Sequence, residues 1–388
     1  MTIESRLRSE LDELADLGLT RRRRVLASPC GRMATVDGRQ LLNFASNDYL
    51  GLAGNPIIAQ AMADGALRWG AGSGASHLVS GHLAPHEQIE QEIAGFLGFP
   101  RVLTFSTGYL ANLATVPTLA GRGAAVFADK LNHASLIDAV QLAKVQGAES
   151  HRYAHNDVAA LERLLAASNA PTKVIVTDAV FSMDGDLAPL PLILELAERY
   201  DAWLVIDDAH GFGVLGAHGK GSLAHFNLPA SPRILLMGTL GKAAGVGGAF
   251  VAGSEIAIEY LLQRARSYIF TTAAPPAVAC ALSASLEIIR QGDALRSHLM
   301  ARIGQLRQGL HGLPWTLLAS PTAIQALIVG ENEAALTLSK ALWERGLWTP
   351  AIRPPTVPKG TARLRISLSA AHTAADIEQL INALKELA

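Results

Sequence analysis

AWLVIDDAHGFG (202–213) runs five apolar residues into a pair of carboxylates and then turns on two glycines. A strand apolar on both faces is buried on both faces, which points to a sheet covered by helices on either side. The same pattern recurs outward from it. RVLTFS (101–106), AAVFAD (124–129) and KVIVTDAV (173–180) precede it, and RILLMGT (233–239) and GGAFVAG (247–253) follow. Amphipathic stretches such as HEQIEQEIAGFLG (86–98), ASLIDAVQLAKVQ (134–146) and PLPLILELAERY (189–200) separate most of them. Strands alternating with helices predict an α/β fold with a largely parallel sheet. Ligands of such sheets bind at the carboxyl ends of the strands, so polar residues that close apolar runs are the first candidates for chemistry.

Beyond about residue 275 the pattern changes. A long helical stretch, AVACALSASLEIIRQG (277–292), leads to strands IQALIVG (324–330) and RLRISLS (363–369) and a last helix, AADIEQLINALKEL (374–387). The expected division is a helix and small-domain segment over 1–50, a large cofactor-binding domain over 51–275, and a smaller α+β domain over 276–388. Chain length alone argues for more than one domain.

A hydrophobic fraction of 49% against 17% charged residues fits a well-buried globular enzyme and excludes a disordered chain. The net charge of −1 gives no bulk attraction to nucleic acid or to an anionic membrane. Three charge-free stretches, beginning at Val102, Ser267 and Leu313, are each broken by proline and mixed with polar residues, which argues against a membrane span. The start, TIESRLRSELDELADLG (2–18), reads as a charged amphipathic helix rather than a signal peptide. Cys30 and Cys280 form no CxxC pair, in keeping with a reducing cytoplasm.

GTLGKAAGVGG (238–248) follows the strand RILLM and sets Lys242 among small residues, where a ligand can approach its amine. Alone it reads as an exposed loop lysine. Asp207 changes that reading, because a carboxylate at the end of a buried strand needs a cationic partner. A metal shared with His210, a structural salt bridge, and the ring nitrogen of pyridoxal phosphate (PLP) are the three alternatives. STGYLANLA (106–114) adds an anion cradle: Ser106, Thr107 and Gly108 open a helix after a strand, where free N–H groups and the helix dipole meet a phosphate. Strand-end carboxylate, loop lysine and phosphate cradle together select PLP, bound as a Schiff base on Lys242.

SNDYLGL (46–52), GAGSGAS (70–76), FSMDGD (181–186), DDAHGFG (207–213) and GTLGK (238–242) resemble, in this order, the α-oxoamine synthases. The resemblance implies a PLP-dependent transferase of fold type I, with a mostly parallel seven-stranded sheet, that joins an amino acid to an acyl thioester. It implies catalytic roles for Lys242, Asp207 and His133, the last stacked on the cofactor ring. His210 and Ser182 would bond near the ring oxygen and the Schiff base, with Gly108, Tyr109 and Thr239 on the phosphate side. Tyr109 stands where some members carry phenylalanine. IFTTAAPP (269–276) resembles a segment lent to the neighbouring subunit of a homodimer, with Thr271 or Thr272 reaching the phosphate.

The resemblance also gives the amino-acid carboxylate to Asn47 and Arg365. Arg363 lies on the same strand face as Arg365, so alternation alone leaves the two interchangeable. AIRPPTVPKGTARLRIS (351–367) is most similar to members that condense L-alanine with a pimeloyl thioester, carried on CoA or an acyl carrier protein. Arg21, Arg353 and Thr356 would approach the acyl chain. Members that acetylate glycine are the alternative. No metal site is expected: Pro85 spoils a helical pairing of His82 with His86. GAGSG lacks the spacing of a dinucleotide loop.

Overall fold

The computed structural model describes residues 2–388. A short antiparallel pair, β1 (Met33–Val36) and β2 (Arg39–Asn43), precedes the main sheet. The main sheet comprises β3 (Arg101–Phe105), β4 (Ala124–Asp129), β5 (Glu149–Tyr153), β6 (Thr172–Asp178), β7 (Ala202–Asp207), β8 (Ile234–Thr239) and β9 (Ala249–Gly253). Their spatial order is β3-β9-β8-β7-β6-β4-β5. The pairs β5–β4, β4–β6, β6–β7 and β7–β8 are parallel, and β9 runs antiparallel to both β8 and β3. Six strands therefore end on one edge. That edge collects Phe105, Asp129, Tyr153, Asp178, Asp207 and Thr239.

The fold is the α/β class that alternation predicts, with seven strands rather than the six that hydrophobic runs reveal. β5 escapes such a reading because ESHRY lies at the sheet edge and buries fully only Tyr153. The central strands are buried along nearly their whole length; every residue of β4 and β9 is buried. Two apolar cores form, one on each face. Ile175, Leu204, Ile206 and Phe250 point into one, and Val174, Val176, Val205 and Val251 into the other. Removing successive residues of one strand to opposite faces is what makes the runs continuous in sequence.

A four-stranded antiparallel sheet carries the strands Ile324–Gly330 and Ala362–Ser367 at its centre. The N-terminal region joins this part of the molecule: β2 pairs in parallel with Leu347–Trp348 to make a separate three-stranded sheet, the Ser367 N–H donates to the Phe44 carbonyl at 2.8 Å, and Arg32 holds Asp376 at 2.7 Å. The helix Ile3–Asp16 buries none of its residues, so Leu7, Leu11 and Leu14 remain exposed. No helix among the described residues is long and apolar enough to cross a membrane.

A brace ties the edge of the main sheet to the loop 181–186. His155 contacts Asp129 at 3.1 Å through Nδ1 and Asp186 at 2.8 Å through Nε2. Burial alone would lower its basicity, but the two carboxylates overcome that and hold the imidazole up to about 10. A folded-state value above the ordinary one means that this brace stabilises fully below about pH 6.5 and is lost as pH rises through the folded value.

Candidate active site

Each polar group at the carboxyl edge is positioned by the end of an element. Asp207 closes β7, 3% exposed. Its Oδ1 accepts from the Ala209 N–H at 3.0 Å and its Oδ2 from Asn112 Nδ2 at 2.8 Å. Asn112 projects from the helix Gly108–Leu119, whose N-cap is Thr107, and also donates to Ser135 at 2.9 Å. His133 caps the helix Ala134–Val145 and shares a hydrogen bond with Ser135 Oγ at 2.8 Å. Its backbone N–H donates to Asp178, whose carboxyl is pushed well up by burial and by the neighbouring Asp207.

Lys242 lies in the turn after β8, its amine 2.9 Å from His210 Nε2. Burial lowers the amine to about 8; Asp207 opposes that shift and Arg365 adds to it. His210 is held well below its ordinary value by burial first, then by the charges of Lys242 and Arg365. A neutral imidazole is therefore the group against the amine. The other ring nitrogen, Nδ1, meets the Tyr49 hydroxyl at 2.6 Å. Tyr49 also reaches Asn47 Oδ1 at 3.1 Å, and the same oxygen accepts from Arg365 Nη1 at 3.1 Å. One chain of contacts thus links Lys242, His210, Tyr49, Asn47 and Arg365.

The two arginines of the strand Ala362–Ser367 part company here. Arg363 pairs with Asp184, while Arg365 donates to the Ser182 carbonyl at 2.6 Å and to Asn47. Ser182 thus contributes its backbone to this cluster. Asp207 has no ion-pair partner among the described residues, so the structural salt bridge is not its role. The metal alternative also fails, since both nitrogens of His210 are engaged and Asp207 joins no ligand cluster. What is left is a buried carboxylate, an amine of lowered basicity and a helix N-terminus on one edge. That donor set fits PLP: the carboxylate suits a protonated ring nitrogen and the amine suits a carbonyl.

Thr239 donates to the Gly248 carbonyl at 3.2 Å, and Gly108 is the first residue of its helix. Tyr109 is exposed and bonds Asp138. Thr272 shares a cavity with Ser106, Gly247 and Gly248, whereas Thr271 lies outside that lining. Arg21, Arg353 and Thr356 line a separate cavity of about 300 Å³ with Leu14, Leu19 and Ile352, and Arg353 donates to the Gly18 carbonyl. The structure brings these three together, but no hydrogen bond joins them to the Lys242 cluster among the described residues.

The family profile described as aminotransferase class I and II matches residues 39–384. The chain belongs to the class I and II aminotransferase family. It is 81% identical over 386 residues, all of both chains, to 8-amino-7-oxononanoate synthase of Dechloromonas aromatica (strain RCB). A solved structure of the serine palmitoyltransferase SPT with its PLP internal aldimine superposes with a TM-score of 0.92 at 30% identity, covering 100% of this chain and 98% of the other. A crystal structure of 8-amino-7-oxononanoate synthase from Francisella tularensis gives 0.77 at 30% identity, covering 89% and 98%.

For this member of the aminotransferase family, residue-by-residue reading missed Tyr49, Asn112 and Asp178. Tyr49 lies inside SNDYLGL without drawing notice as a hydrogen-bonding group. Asn112 had a usable signal, since an amide in the apolar helix GYLANLATVPTL must find a buried partner. Asp178 closes β6 just as Asp207 closes β7, in direct register with it.

Proposed function

We propose that the chain condenses L-alanine with a pimeloyl thioester, releasing CO₂ and the free thiol, to give 8-amino-7-oxononanoate, an early step of biotin biosynthesis. The observation that carries this reading is the 81% identity over the whole chain to a synthase of that name, joined to a site whose donors fit PLP. Bound PLP supplies an electron sink for the negative charge that develops at the amino acid's α-carbon.

In this reading Lys242 holds the cofactor covalently and Asp207 keeps the ring nitrogen protonated. Ser106, Thr107, Gly108 and Thr239 face the phosphate, and His133 packs on the ring. An incoming amino acid places its carboxylate against Arg365 and Asn47, whose Nη2 and Nδ2 groups make no hydrogen bond among the described residues and are, respectively, a charge-assisted and a neutral donor to it. The freed Lys242 amine then removes the α-proton. Its lowered basicity suits that task near neutral pH. Neutral His210 accepts a hydrogen bond from the amine at Nε2 and so orients it without placing a second positive charge beside it. The arginines Arg21 and Arg353, with Thr356, face the acyl chain.

The same reading includes a homodimer. The unburied apolar face of the helix Ile3–Asp16, together with exposed Leu67, Val79 and Phe270, supports it. Thr271 and Thr272 follow Phe270 directly and would reach the partner's phosphate. The deciding experiment is a substrate competition with products identified by mass. Alanine with pimeloyl-CoA, or its carrier-protein equivalent, is expected to show the higher kcat/KM. A preference for glycine with acetyl-CoA would replace the substrate pair and leave the PLP chemistry standing.

A further inference from the structure

Behind β3, on the wall of the molecule formed by the helix Ala84–Leu97, a second polar cluster takes no part in the site above. The helix begins at Ala84 with Pro85 in its first turn and His82 just before it, yet the ligand atoms of His77, His82 and His86 still lie within 4.8 Å of one another. His86 is committed on both ring nitrogens, accepting from the Leu83 N–H at 3.0 Å and meeting the Ala274 carbonyl at 2.8 Å. His82 instead turns toward the helix face where Glu87 and Glu90 follow one another at i and i+3. The ligand atoms of His82, Glu87 and Glu90 lie within 4.8 Å of one another.

Two features of this cluster ask for a cation. Glu90 is 8% exposed, and its Oε1 alone takes both hydrogen bonds, from the Thr104 N–H and hydroxyl at 2.7 Å each. Its Oε2 has no hydrogen-bond partner among the described residues, and the side chain lines the same cavity as His77, His82, Glu87 and Arg101. Arg101 is already paired with Glu255 and Glu259. A buried carboxyl facing a second carboxylate across an imidazole is costly unless positive charge lies between them.

His77 completes the arrangement. Its Nδ1 meets His82 Nδ1 at 2.8 Å, and its ring stacks on Tyr268 with centroids 5.0 Å apart. If His82 donates its Nδ1–H to His77, its Nε2 lone pair faces Glu87 Oε2 at 3.1 Å. A ligating imidazole is ordinarily fixed in that way, by a partner on its other nitrogen.

We propose that His82 Nε2, Glu87 and Glu90 form a binding site for a divalent transition cation, with His77 as the positioning residue for His82. One imidazole and two carboxylates suit zinc, cobalt or nickel better than a thiolate-seeking metal. Tetrahedral bonding brings donor atoms to about 3.3 Å apart, so Glu87, the exposed member, has to close the remaining distance. The cation would tie the turn 77–82 to the helix. His86 already ties that helix to Ala274.

The test is titration of the PLP-loaded enzyme with cobalt(II), read by d–d absorbance at wavelengths beyond the cofactor band, and with zinc, read by calorimetry. One equivalent per chain is expected at micromolar metal, with a rise in Tm. His82→Asn and Glu90→Gln should each weaken it by about tenfold or more while leaving the cofactor spectrum unchanged. His82 is partly exposed, so its replacement keeps the test readable if Glu90→Gln fails to fold. No saturable binding to the wild-type protein at millimolar metal overturns the site. Binding equally tight in His82→Asn also overturns it.

Discussion

Around Asp207 the polar groups are buried and issue from the ends of strands and helices, whereas Arg21, Arg353 and Thr356 line a small cavity between the N-terminal helix and the loop after Ala351. In the first region each donor has a partner that is itself fixed by packing: Asn112 by its helix, His210 by Tyr49, Arg365 by Asn47. In the second, Arg21 is exposed and makes no ion pair among the described residues. In the proposed reading the difference separates two tasks. Groups that stabilise developing charge gain from being rigid and dry, since a preorganised dipole needs no reorganisation as the reaction proceeds. Groups that choose an acyl chain must admit and release it, and their individual contacts are weaker for being wet.

Substitutions ranked across the two regions sharpen that contrast. Lys242→Ala should abolish turnover and the cofactor's covalent absorbance together, because Lys242 is the amine that the turn after β8 sets beside His210. In the unaltered apoprotein the rate of PLP capture should climb with pH and level off near 8, where the amine becomes free base, rather than climbing on toward an ordinary lysine's value. A borohydride-reducible adduct in the Ala variant would mean that a different lysine carries the cofactor.

Asp207→Asn keeps the shape but removes the charge and leaves one acceptor for the Ala209 and Asn112 donors, so kcat should fall by about 10²-fold or more in a protein that still folds and loads PLP. Retention of wild-type kcat in the PLP-loaded variant would leave the rigid region with no electrostatic role. Tyr49→Phe breaks the contact chain in its middle. Loss of a buried hydrogen bond of this kind costs about 1–3 kcal/mol, or about tenfold in kcat/KM for the amino acid. PLP affinity should stay unchanged; an effect confined to PLP binding would remove Tyr49 from the substrate side.

Arg353→Ala is expected to be the mildest, raising KM for the acyl thioester about twofold to fivefold at constant kcat, the worth of a solvated charge contact. A drop in kcat as large as that of Asp207→Asn would dissolve the distinction between the two regions, since the wet cavity would then act in the chemical step.

Much of this was legible along the chain. The strands β4, β6, β7 and β8 are apolar on both faces, and that continuity has one common cause, burial between helical layers. Asp207 and Lys242 could be singled out because they interrupt or follow such runs, where a charge needs a reason. β5 could not, because an edge strand half in water carries the mixed composition of a loop. Tyr49 and Asn112 stayed silent for a related reason: a hydroxyl or amide in an apolar segment announces a partner without naming it.

By itself the sequence determined six strands of the sheet, its carboxyl edge, and Asp207 and Lys242 there, because periodicity and strand-end charge are properties of short segments. Tertiary structure alone decided between the two arginines. Arg363 and Arg365 have equal claims by alternation, and only the packing of loop 181–186 against their strand gives one to Asp184 and leaves the other for Asn47. It also set His82 beside Glu87 and Glu90 as well as beside His77 and His86, since that depends on the direction the chain takes before the helix Ala84–Leu97. Contacts between residues far apart in sequence depend on how whole elements dock, and no local pattern records that.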